Sequence, residues 1–183
     1  MCEAHGVPHT GKLARSIILD LAVHDALRAT DSEKPPPPPS TPRLNGPNPP
    51  SPRPASGAPP AEASWQRAIA RARWVVSRLG TDPEHGGRIF LPGRLDPRNA
   101  STSLIDAGEC VDALATLALH PRFCVGGDVP DADREGVLGA IRACAAPYLA
   151  ETVTSKAIVN QVLWGAMGLA HACSVFPDER AWR

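Results

Sequence analysis

Apolar side chains recur along this chain at spacings of three and four residues, the rhythm of helices that bury one stripe. Between Gly11 and Thr30, Leu13, Ile17, Leu21, His24 and Leu27 form such a stripe, widened by Ile18 and Val23. From Ser64 to Leu79 a second stripe contains Trp65, Ile69, Ala72, Val76 and Leu79, and Gly80 is expected to stop that helix. Leu104 to His120 sets Leu104, Ala107, Val111, Leu114 and Ala118 on one face, and its second half is apolar nearly all round. Asp131 to Leu149 turns Val137, Leu138, Ile141, Ala145 and Leu149 inward and Arg134, Glu135 and Arg142 outward, with Pro147 placed to kink or end it. Lys156 to Phe176 is apolar around almost its whole circumference, and Gly165, Ala166, Gly168 and Ala170 are small enough to admit a neighbouring backbone. This last helix is expected to be the most buried.

Amphipathic, apolar, amphipathic, apolar is the order produced when helical hairpins alternate between an outer and an inner layer. The expected fold is therefore all-α, as a partial α/α toroid or a four-helix bundle. Two stretches, Ser103 to Leu114 and Asn160 to Ala170, resemble inner helices of an α/α toroid, the helical barrel of six-hairpin glycosidases. The resemblance implies a relation to carbohydrate-active enzymes and a carbohydrate ligand. The chain supplies fewer hairpins than a closed toroid, and Phe176 to Trp182 reads as a connection toward a further helix. The pattern thus fits either a toroid fragment of doubtful activity or a free-standing helical domain. The alternative function is a non-enzymatic interaction module, which binds a protein partner or itself through helix 156–176.

Prolines divide the chain into regions. Most of its 21 prolines lie between Pro35 and Pro60, beginning with an unbroken run from Pro35 to Pro39. Such a stretch has little to bury and favours extended polyproline II, so 35–62 is expected to be a disordered linker. It separates an N-terminal segment, 1–34, from a helical domain, 63–183. Lys plus Arg and Asp plus Glu balance at 19 each, which removes the broad attraction of a nucleic-acid or anionic-membrane binder. Arg67, Arg71, Arg73 and Arg78 are expected on a solvated face. No run approaches the roughly 20 apolar residues of a membrane span. The 5 cysteines are odd in number and contain no C-x-x-C pair, which favours a reducing, cytoplasmic setting.

Candidate chemistry concentrates in three places. Asp106, Glu109 and Asp112 repeat every third residue, and Asp106 and Glu109 are candidate catalytic carboxylates for general acid and base work on a glycosidic bond, with a facing carboxylate supplied by another element. The same acids also suit the first turns of a helix, where its dipole favours negative charge. The long connection from Thr81 to Thr102 carries His85 and Arg88 as candidate substrate contacts. Asn160, Gln161 and Trp164 offer amides for hydroxyls and an indole for a sugar face, or else serve as core. No metal site is expected. His120 and Cys124 with His171 and Cys173 have the right ligand types for zinc, but helical geometry turns His171 and Cys173 about 200° apart. No cofactor is expected either, since Gly-rich phosphate loops, H-E-x-x-H and G-x-S-x-G are absent from the sequence.

Overall fold

The computed structural model describes residues 10–32, 60–81, 88–90, 102–124, 128–145, 149–153, 159–179 and 182. Over these residues the chain is all-α apart from one small hairpin. Most of the expected Pro-rich linker lies outside them.

Helix α1, Thr10–Ser32, packs on α2, Pro60–Val76, and on α3, Thr102–Leu119. Ala14, Ile17 and Leu21 of α1 join the same buried cluster as Trp65, Ala68 and Ile69 of α2 and Val111 and Leu114 of α3. Helix α1 of the N-terminal segment therefore contributes to the core of the main body. The stripe is centred one residue differently from the expectation: Ala14 and Asp20 are buried, while Val23 faces solvent. Helix α2 begins at Pro60, inside the expected linker, because proline at a helix's first position loses no N–H that an intrahelical bond would use.

Gly80 does not stop α2. The helix ends at Val76 and passes through Ser77 and Arg78, whose amides donate to Arg73 O at 2.9 Å and Val75 O at 3.0 Å. Leu79–Thr81 then forms strand β1, antiparallel to β2, Arg88–Phe90, with Leu79 opposite Phe90. This hairpin delivers Phe90 into the core beside α3 and α5. Of the arginines expected on a solvated face, Arg67, Arg73 and, just past α2, Arg78 are exposed and Arg71 is half-buried, and all four have partners at that surface. Arg67 and Arg71 both hold Asp20 of α1, Arg73 forms a two-pronged pair with Asp133, and Arg78 lies over Trp74.

Helix α3 lies between α1, α5 and α7, and every residue from Asp106 to Ala115 is buried. A short helix α4, Pro121–Cys124, follows, and then α5, Asp131–Cys144. The latter stops five residues before Leu149, with Pro147 outside the described residues. Helix α6, Ala150–Val153, and α7, Val159–Val175, complete the fold.

The expectation that 156–176 is the most buried helix is wrong: α3 is. Helix α7 buries Gln161, Gly165, Gly168 and Ala172 against α3 but leaves Val159 71% and Leu163 64% exposed. Helix α3 has neighbours on several sides, whereas α7 has mainly α3 and the short α6. The small-residue reading of α7 does hold on its inner side. A Cβ added at Gly168 would lie 2.6 Å from Gly108 O, and one at Gly108 would overlap the Trp164 backbone, so the two helices touch main chain to main chain. Burial pushes the thiols of Cys110 and Cys144 up, the latter to about 12, which makes them inert core hydrophobes. Among the described residues no helix is long and apolar enough to cross a membrane.

Candidate functional site

Two polar constellations interrupt this core. The first is the acidic strip of α3. Asp106, Glu109 and Asp112 are all buried, and the helices around α3 bring partners to them. Arg15 of α1 places Nη2 2.6 Å from Glu109 Oε1, and Asp112 pairs with His171 Nδ1 of α7. The start of α1 rests on the other acids: a Cβ at Gly11 would overlap the Glu109 carboxylate and lie 2.8 Å from Asp106 Oδ1. Carboxylates beneath a helix N-terminus meet its positive dipole end, so the strip is well arranged to hold α1 in place.

The residues singled out for chemistry separate accordingly. Glu109 and Trp164 are brought together through Arg15, whose guanidinium stands 5.2 Å from the indole centroid. Gln161 is buried in the same helix, whereas Asn160 is exposed. Arg88 sits in β2 opposite Thr81, and His85 is outside the described residues. The four residues weighed for zinc are used apart from one another: His171 on Asp112, Cys173 toward Trp182 O, Cys124 toward Ala118 O, and His120 elsewhere.

His120 belongs to the second constellation, at the mouth between α1, α2 and the α3–α4 junction. Asp25 Oδ1 accepts from His24 Nδ1 at 2.9 Å and from His120 Nε2 at 3.0 Å. The outer nitrogens fix these tautomers. The Arg122 amide donates to His120 Nδ1 at 3.2 Å, and Arg122 Nη1 faces His24 Nε2 at 3.4 Å, so both far nitrogens accept and both near ones carry the proton. Burial raises the Asp25 carboxyl, but the two imidazole hydrogen bonds outweigh it and hold the group below the usual range. Arg122 is the hub on the other side, with Glu62 at 2.8 Å and Asp128 at 2.7 Å. Beneath lies Trp65, fully buried, its ring centroid 5.7 Å from His24, 5.2 Å from His120 and 4.7 Å from the Arg122 guanidinium. An open cleft of about 520 Å³ exposes this group, with Arg28, Glu62 and Asp128 on its walls.

Sequence reasoning missed this site because its members are 95 residues apart, and only the docking of α1 joins them. The available signal was His24-Asp25, a polar pair on a stripe otherwise apolar. Comparison with known protein families, curated proteins and solved structures finds no match.

Proposed function

We propose that this chain is a non-enzymatic helical interaction domain whose contact surface is the outer face of α7, and that its partner is a second copy of the chain. The observation that carries this reading is the exposure of Val159 and Leu163 on a helix that contains no Asp, Glu, Lys or Arg. At about 100° per residue, Val159, Leu163, Ala170 and Ser174 fall on one side of the helix, opposite Gln161, Gly165, Gly168 and Ala172. The outer face is thus an apolar and small-residue strip. It has no charge to repel an identical strip, and Ala170 and Ser174 let two helices approach closely. Large exposed aliphatic residues clustered on one element mark contact surfaces more often than isolated ones do.

Burial of the acids supports this reading over the carbohydrate one. Asp106 and Glu109 lie beneath the start of α1, and Arg15 already engages Glu109. A glycosidic bond needs two reachable carboxylates.

Light scattering on the full chain and on Leu163→Glu tests the proposal. Wild type is expected to rise from monomer toward dimer mass with concentration, and the variant to remain monomeric with its helical circular dichroism intact. A wild-type chain that stays monomeric at all concentrations, or a variant that dimerises equally, contradicts it.

A further inference from the structure

We infer that His24, Asp25 and His120 form a binding site for a divalent transition metal of the zinc class, open on one side to the cleft. Each residue offers one ligand atom, and all three atoms lie within 4.8 Å of one another. In a tetrahedral zinc site, ligand atoms stand about 3.3 Å apart, given metal–ligand bonds of about 2.0–2.1 Å. The two separations to Asp25 Oδ1, 2.9 and 3.0 Å, are already near that value. Seating an ion requires the Asp25 carboxylate to draw back so that both imidazole nitrogens and one carboxylate oxygen face a common centre, and the exposure of Asp25 leaves it room to do so.

Two imidazoles and one carboxylate are the donor set of open zinc and related sites, in which the protein supplies three ligands and solvent supplies the rest. Nitrogen donors also select against calcium and magnesium, which prefer oxygen. The surroundings are built to hold the set. His24 and His120 are largely buried against Trp65, so their rings are held in place, while Asp25 is exposed toward the cleft. Glu62 and Asp128 offset the charge of Arg122 behind them.

Loading has a definite internal cost. When His24 Nδ1 and His120 Nε2 bind metal, each ring must carry its remaining proton on the far nitrogen, where Arg122 now donates. Neither ring changes charge. The exchange gives up the two contacts of 3.2 and 3.4 Å to Arg122 and the two imidazole hydrogen bonds to Asp25, the latter replaced by bonds to the metal, and the guanidinium remains held by Glu62 and Asp128. Because metal-ligating histidines normally donate their far N–H to an acceptor, this donor-rich surrounding lowers the affinity below that of a closed structural zinc site, by roughly the 10–100-fold that such outer partners are worth.

The test is titration of the full chain with zinc chloride by calorimetry and with cobalt chloride by visible absorption. Asp25→Asn, His120→Gln and, as a control, His171→Ala should be titrated alongside. One equivalent is expected to bind to wild type and to His171→Ala, with tetrahedral cobalt bands, and affinity is expected to fall at least tenfold in Asp25→Asn and His120→Gln. Calcium and magnesium should not compete. Ring ¹⁵N shifts of His24 and His120 should report the proton moving from the near to the far nitrogen on zinc addition, a change that adventitious surface binding does not produce. No binding by wild type, binding unaffected by Asp25→Asn and His120→Gln, or ring shifts that do not move would overturn the assignment.

Discussion

Helices α3 and α7 are the two most apolar stretches of the body, yet they meet opposite fates. Helix α3 carries three carboxylates and is buried at every residue from Asp106 to Ala115, whereas α7 contains no Asp, Glu, Lys or Arg and turns one side to water. Composition does not decide burial here. The number of neighbours does: α1, α5 and α7 surround α3 and supply partners for its acids, among them Arg15 and His171. A buried carboxylate is tolerable when each is paired. An apolar face with no neighbour remains exposed however favourable its burial would be, and that asymmetry underlies the interaction surface proposed for α7.

The contrast is sharpened most by truncating one leucine from each helix. Leu114→Ala in α3 should cost about 2–5 kcal/mol in denaturant unfolding, because the cavity has packed walls on every side. Leu163→Ala in α7 should shift the monomer's stability by no more than about 0.5 kcal/mol. Equal losses at both positions would break the comparison. A smaller effect is expected where the helices touch. Gly108→Ala forces a methyl into the Trp164 backbone and should destabilise by about 1–3 kcal/mol, with thermal unfolding as the readout, although alanine is the better helix former.

The smallest effect lies at the periphery, where α2 meets α5. The Arg73 guanidinium holds the Asp133 carboxyl below its ordinary value of 3.8. A carboxyl lowered on folding adds stability that is fully present above its unfolded value and is lost as pH falls through its folded one. Asp133→Asn should therefore flatten slightly the loss of stability below about pH 4, as seen in unfolding midpoints against pH, and leave stability near neutrality almost unchanged because the pair is solvent-screened.

Much of the helical fold was legible in the sequence, because the spacing of Trp65, Ile69 and Ala72, or of Val111 and Leu114, reports a buried stripe directly. What spacing does not report is which helix lies next to which. Helix 156–176 reads as the most buried element from its apolar circumference, and the lack of an outer neighbour among the described residues reverses that. The β1–β2 hairpin escaped notice because three-residue strands are too short for an alternation to register, and Gly80 suggested a helix end instead. The carboxylates of α3 were visible as a strip, but their partners on α1 and α7 were not. For the same reason, His24, Asp25 and His120 looked unrelated: two lie on α1, one lies at the end of α3, and no local pattern links them.

Methyl NMR on a dilution series of the full chain tests the central contrast most directly, because it reads both helices in one molecule. The methyl groups of Val159 and Leu163 should shift or broaden as concentration rises, while those of Val111 and Leu114 should stay fixed. Outer-face methyls that do not respond to concentration, or core methyls of α3 that move by as much, would contradict the assignment of α7 as a helix with one face in the core and the other reserved for a partner.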